Sequence, residues 1–360
     1  MLGKGTARVR SVSCDEPATA PLPMPVLKRA HPAPDRLDPA DRKLADGVLA
    51  HEPRALAKAI TLIESSRRDH QARAQALLEA LQPHTGASFR IGISGAPGAG
   101  KSTFIETFGL FLTARGQRVA VLAVDPTSAV SGGSILGDKT RMERLTREPG
   151  AFVRPSPSGG TLGGVAHKTR EALALCEAAG YDVVIVETVG VGQSETAVAG
   201  MTDCFVLLAL PNAGDDLQAI KRGIIELVDF VLVNKADIDP AAAELARTQI
   251  ANAFSMLRKR EAHWSPPVLS LSALTGVGFE AFWREAERFR ALAEASGAAT
   301  AKRKRQALDW MTALVEHELH TRFYQHPAVK AELAGVQAAV AEGRMTPAAA
   351  AARLLAAGRS

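Results

Sequence analysis

Eight consecutive residues, Gly95-Ala96-Pro97-Gly98-Ala99-Gly100-Lys101-Ser102, followed by Thr103, spell a G-x-x-x-x-G-K-[ST] loop. Glycines in such a loop let backbone N–H groups converge on phosphate oxygens with no Cβ in the way. A helix opening at its end adds its positive N-terminal pole. In that chemistry Lys101 reaches the β- and γ-phosphates of a nucleotide and Ser102 ligates Mg²⁺. The context supports this reading over a chance glycine-rich turn, because a strand-like run, Arg90–Ser94, precedes the loop and a helical run follows it.

Two carboxylates stand at the ends of later apolar runs. Asp125 closes Val119–Val124, and Glu187 closes Val183–Val186 within Glu-Thr-Val-Gly. An acid at such a strand end can hold Mg²⁺ directly or through water. A lone acid there is ordinarily a helix cap or turn residue, and it is the upstream phosphate loop that favours the metal role. Gly190 is placed to offer its N–H to a γ-phosphate.

Asn234-Lys235-Ala236-Asp237 follows the run Phe230–Val233. The Asp237 carboxylate can accept from guanine N1–H and the exocyclic amine together. Adenine lacks that donor pair, and each lost charge-assisted bond costs about 1.5–3 kcal/mol. Lys235 would lay its stem along the base, and Asn234 would tie neighbouring loops. Downstream, Ser272-Ala273-Leu274 offers a backbone N–H to guanine O6. In this order the motifs point to Mg²⁺-dependent hydrolysis of GTP to GDP. Gln193 is a candidate to position the attacking water or a plain loop hydrogen-bonder, and the sequence leaves both open. No obvious arginine finger accompanies it, so slow intrinsic turnover is expected.

The elements that must position these residues run from Phe89 to about Phe289. Short runs apolar on both faces (Arg90–Ser94, Val119–Val124, Val183–Val186, Phe205–Leu210, Phe230–Val233 and Val268–Ser270) alternate with helical stretches. That pattern predicts an α/β fold, a doubly wound, mostly parallel sheet, with ligands beyond the carboxyl ends of its strands. The expected layout is a proline-rich disordered tail over 1–36, a helical extension over 37–86, the nucleotide domain over 87–288 and a helical C-terminal region over 289–360. Pro53 suits a first helical position, with Leu56, Ile60 and Ile63 on one face. Leu308, Met311, Val315, Leu319 and Phe323 recur at helical spacing, and Thr346-Pro347 reads as the start of a last helix.

Composition narrows the function classes. A net charge of +5, from 43 basic against 38 acidic residues, is too slight to imply nucleic acid. The run Lys302-Arg303-Lys304-Arg305 reads as a solvated helix start or linker. Cys14, Cys176 and Cys204 are widely spaced, which suits a reducing cytoplasm and gives neither a disulfide framework nor a zinc site. No apolar run approaches the roughly 18 residues of a membrane span. His317-Glu318-Leu319-His320 departs from H-E-x-x-H and reads as a wet helix face.

Longer stretches carry a family resemblance. They are Asp125-Pro126-Thr127-Ser128, then residues 132–142 (GGSILGDKTRM) and 154–164 (RPSPSGGTLGG), then 187–195 (ETVGVGQSE) and 214–221 (GDDLQAIK). From about residue 38 to the end the chain resembles the MeaB/ArgK/MMAA family of G3E P-loop GTPases. The resemblance implies a GTPase chaperone that gates adenosylcobalamin loading, protection and reactivation of a separate acyl-CoA mutase, typically methylmalonyl-CoA mutase. It implies a homodimer joined partly through C-terminal helices. It also places Asp138 as a switch acid near Mg²⁺, and Lys221 in a third switch that couples nucleotide state to the mutase. Asn212 stands where the family pattern has glycine. No Asp-x-His-x-x-Gly motif occurs, so no cobalamin is expected on this chain alone. The rival readings are a nickel-insertion GTPase, for which Cys/His motifs are missing, and a kinase of transport components, which Asn234–Asp237 opposes. An adaptor with a dead nucleotide site is opposed by Lys101, Ser102 and Glu187.

Overall fold

The computed structural model describes residues 37–124, 142–155, 162–188, 194–211, 226–255 and 264–358. The tail 1–36, Asp125, Asp138, Gly190, Gln193, Asn212 and Lys221 lie outside the described residues.

Three helices lead the chain: α1 (Pro39–Leu49), α2 (Pro53–Glu64) and α3 (Arg68–Leu81). The Asp38 carboxylate caps α1 by accepting from Asp41 N–H at 2.8 Å, and proline occupies the first position of both α1 and α2. Leu56, Ile60 and Ile63 are fully buried, as their shared helical face requires. Arg73 of α3 holds the buried Asp41 of α1 through a two-pronged ion pair.

Seven strands follow, β1 (Phe89–Gly95), β2 (Val119–Val124), β3 (Ala151–Arg154), β4 (Val183–Thr188), β5 (Cys204–Ala209), β6 (Phe230–Val233) and β7 (Val268–Ser270). Between and around them lie α4 (Lys101–Thr113), α5 (Glu143–Thr146), α6 (Leu162–Ala178), α7 (Ser194–Ala199), α8 (Pro240–Ser255) and α9 (Phe279–Ala295). The strands form one all-parallel sheet in the order β3-β2-β4-β1-β5-β6-β7, so the strand leading into the phosphate loop is central. This is the expected doubly wound α/β architecture, here with an all-parallel sheet and helical extensions at both ends.

The sheet is covered on both faces, and strand alternation sorts its residues between two cores. Val184 and Val186 of β4 pack with α1–α3, α6 and α8, while Val183 and Ile185 pack with α4 and α9. On the second face Phe104 stacks on Phe108, and these two meet Phe279 and Phe282 edge-on or tilted, with ring centroids 5.3–6.0 Å apart. The edge strand β3 escapes sequence reading: it is only four residues long, each of them half-buried, and its apolar run is no more than Ala151-Phe152-Val153.

The C-terminal helices α10 (Ala298–Gln325), α11 (Pro327–Ala341) and α12 (Pro347–Ala357) complete the chain. Thr346 caps α12 by accepting from Ala349 N–H at 3.3 Å. Half of the basic run at the start of α10 is not solvated. The side chains of Lys302 and Arg303 are only 11% and 24% exposed. Arg303 forks onto the Asp203 carboxylate at 2.7 and 2.6 Å, and Lys302 donates to the Asp203 carbonyl at 2.6 Å. Asp203 sits just before β5, where its buried carboxylate also accepts from Arg90 N–H, so a charge pair closes the amino-terminal rim of the sheet. Only Lys304 and Arg305 are exposed. No described helix is long and apolar enough to cross a membrane.

Candidate functional site

The site grows out of the carboxyl end of β1. Gly100 caps α4 with φ +86°, and a Cβ there would lie 2.7 Å from Asn234 Nδ2, so no other residue fits the approach of the two loops. Ala96, Pro97 and Gly98 are exposed along the loop's outer edge, as is Thr103 on the first turn of α4. The aromatic cluster under Phe104 and Phe108 fixes that helix, and with it the direction of the loop's N–H groups.

Lys101 folds back over the loop, donating to Gly95 O at 2.7 Å and Ala96 O at 3.2 Å. An ammonium has three donors, so one remains to meet a phosphate oxygen. Burial pulls the Lys101 ammonium below the usual lysine range, while the charges of Glu187 and Glu195 act the other way.

Ser102 hydroxyl donates to Glu187 Oε1 at 3.3 Å, across 85 residues of sequence. The register explains the meeting: Glu187 pairs with Ile93 of β1, two residues short of the phosphate loop. Both oxygens are hard donors of the kind Mg²⁺ takes, and they converge beside the loop where phosphates would lie. The residues present therefore fit Mg²⁺ and a nucleoside phosphate. The next residue, Thr188, is fully buried and donates to Ser94 Oγ at 3.1 Å, a second tie between β4 and β1.

Asn234 is 1% exposed and bonds to neighbours through both ends of its amide. Its Nδ2 donates to Ala99 O at 2.8 Å, and its Oδ1 accepts from Lys235 N–H and Ala273 N–H, each at 2.8 Å. It thus joins the phosphate loop, the segment after β6 and the segment after β7. Lys235 holds φ +64°, a left-handed conformation rare for a side-chain-bearing residue. Asp237 is exposed beyond it. Ser272 is buried, and its hydroxyl accepts from Thr275 N–H at 3.2 Å. Leu274 and Ile238 are 73% and 74% exposed, an open apolar rim beside Asp237.

The structure adds a residue that motif reading passed over. Glu195, in the first turn of α7, is 3% exposed and acts electrostatically on Lys101. Its sequence signals are its place at the end of the 187–195 stretch, which carried no role for it, and an acid opening a helix soon after the Glu187 motif.

Comparisons agree with this geometry. A family model described as "Methylmalonyl Co-A mutase-associated GTPase MeaB" matches residues 56–328. A Caulobacter vibrioides protein is 56% identical over 310 residues, covering 86% of this chain and 95% of its own. The mouse "Methylmalonic aciduria type A homolog, mitochondrial" is 45% identical over 329 residues, covering 88% of this chain and 79% of its own. A solved structure titled "LAO/AO transport system kinase" superposes with a TM-score of 0.72 at 36% identity, covering 90% of this chain and 99% of that one. The seven-stranded parallel sheet, the glycine loop on its central strand and these relatives together establish that the chain belongs to the MeaB family of methylmalonyl-CoA mutase-associated GTPases.

Proposed function

We propose that this chain hydrolyses GTP and uses the cycle to gate adenosylcobalamin loading, protection and reactivation of a separate cobalamin-dependent acyl-CoA mutase. The observation that carries the nucleotide half is Asn234, which fastens the Asn234–Asp237 segment to the phosphate loop. Phosphates and purine would then be read by one rigid unit. The mutase half rests on the family's printed description and on the mouse relative.

In this reading the loop Gly95–Ser102 and Lys101 bind the β- and γ-phosphates, and Asp237 selects guanine. Lys235 and the Ser272–Leu274 segment hold the base. Ser102 and Glu187 would hold Mg²⁺, with Asp125 and Asp138 its further proposed ligands. When bound, the ion neutralises charge on the phosphate oxygens. Lys101 sits in a partly desolvated place, where its charge acts more strongly on the phosphoryl oxygens than it would in water. Gly190 and Gln193 would face the γ-phosphate and the attacking water, and Lys221 would report nucleotide state to the mutase. The exposed stripe Leu308, Met311, Val315 and Leu319 on α10 would pack against a second copy of the chain.

The test is hydrolysis of GTP and ATP by the purified chain, alone and with adenosylcobalamin-dependent mutases from the same cell. GTP turnover should rise at least about ten-fold with the client mutase, equivalent to about 1.4 kcal/mol off the barrier. Equal binding of adenine nucleotides would overturn the guanine assignment. A rate indifferent to every such mutase would overturn the chaperone role.

A further inference from the structure

Helix α10 is seated on the body of the protein by an unusual set of polar bonds. Gln306 is its one buried residue among those described, at 8% exposure. Its Nε2 donates to Thr202 O at 2.9 Å and to Ala199 O at 3.4 Å. Arg170 of α6 bridges the same place, giving Nη2 to Gly200 O at 3.0 Å and Nη1 to the Gln306 carbonyl at 3.1 Å. Lys302 takes the Asp203 carbonyl. Four carbonyls of the Ala199–Asp203 turn are thus claimed by α10 or by Arg170.

That turn is the far end of α7. The helix has six residues, about 9 Å of length, and runs back from the nucleotide rim toward the amino ends of the strands. Its near end carries the buried Glu195 and starts six residues after Thr188, at the rim where Ser102 meets Glu187. Its last turn and the turn that follows lie directly on β1, since a Cβ on Gly92 would stand 2.8 Å from Val198 Cγ1 and 2.9 Å from Thr202 Oγ1. A helix so tightly bedded moves as a unit, because packed interiors do not yield continuously.

We propose that Gln306 and Arg170 are positioning residues that couple the seating of α10 to the nucleotide site, with α7 as the connecting rod. The proposal rests on the reading that this site binds guanine nucleotide. Coupling of this kind is reciprocal: whatever occupies the exposed face of α10 alters nucleotide affinity as much as nucleotide alters α10. Neither side chain is within the phosphate or guanine motifs; their hydrogen bonds run to backbone carbonyls of the Ala199–Asp203 turn and of α10, and Arg170 also lies over the Trp310 ring of α10 at 5.8 Å, so their link to the site passes through α7.

The full chain is to be compared by amide hydrogen exchange without nucleotide, with GDP, and with a non-hydrolysable GTP analogue. In the wild type, nucleotide should protect residues 95–104 and change exchange across residues 298–312 at least about five-fold, the lower end of ordinary allosteric coupling. Gln306→Leu should keep the first response and lose the second. Arg170→Lys, which retains the charge and surrenders the planar fork, should weaken the second response and serves if Gln306→Leu does not fold. Protection of 95–104 with 298–312 unchanged in the wild type overturns the coupling alone. An undiminished α10 response in both variants overturns the assignment to these residues. No protection of either segment overturns the nucleotide reading and the coupling with it.

Discussion

Asn234 donates its amide N–H to the carbonyl of Ala99 at 2.8 Å, so the residue that opens the guanine segment is also a strut of the phosphate loop. Asn234→Ala would leave Ala99 O, Lys235 N–H and Ala273 N–H without that partner in a buried place. We expect a stability loss of about 2–4 kcal/mol, read by urea unfolding, with weaker binding of GDP and GTP alike. Asn234→Asp keeps the acceptor but sets a carboxylate against the Ala99 carbonyl, and should fare little better.

Base choice is assigned to Asp237. In Asp237→Asn one acceptor becomes a donor, which mismatches the guanine amine and matches the C2 carbonyl of xanthine. GTP affinity should fall about 10–100-fold, and xanthosine triphosphate should become the preferred ligand in calorimetry.

Gly100→Ala meets two obstacles together. The left-handed backbone costs about 1–2 kcal/mol for alanine. Its Cβ also pushes on Asn234 Nδ2, whose bond to Ala99 then breaks. Thermal unfolding of the nucleotide-free protein should show the drop directly, before any effect on phosphate binding.

Acid should loosen the amino-terminal rim. Burial alone would raise the Asp203 carboxyl, but the Arg303 hydrogen bonds, then the charges of Arg303 and Arg90, outweigh it and hold the group below the usual carboxylate range. A carboxylate depressed in the fold adds stability that is present above its unfolded pKa and lost as pH falls through the folded one. Stability should therefore decline below about pH 4, and Asp203→Asn should flatten that acid limb. At neutral pH Asp203→Ala should cost about 3 kcal/mol by stranding Arg303, as measured in denaturant titration.

Lys101→Ala removes the one cation described at the phosphate loop. Turnover of GTP should fall by about 10²–10³-fold, measured as single-turnover phosphate release, with the fold intact by circular dichroism.

The central strands and their loops were legible because their chemistry is local. Gly100, Lys101 and Ser102 sit in a fixed spacing, and runs such as Val183–Val186 are apolar on both faces because both faces are covered. What escaped was non-local. Strand β3 is recognisable only by its pairing with β2, from Val119 with Ala151 to Leu122 with Arg154. Lys302 and Arg303 look like any solvated basic run until Asp203, about a hundred residues earlier, is brought beneath them. Glu195 closes the 187–195 stretch without an assigned role there, and its burial depends on the depth at which α7 is set.

The placement of α10 at the amino-terminal rim has a consequence for assembly. The phosphate loop opens at the opposite pole, a strand's length of about 20 Å away. A sister chain gripping Leu308 and Val315 would leave the nucleotide mouth, with its greasy lip of Ile238 and Leu274, uncovered for a client. Under the proposed function the two kinds of visitor would meet the chain at different places and would not compete for space.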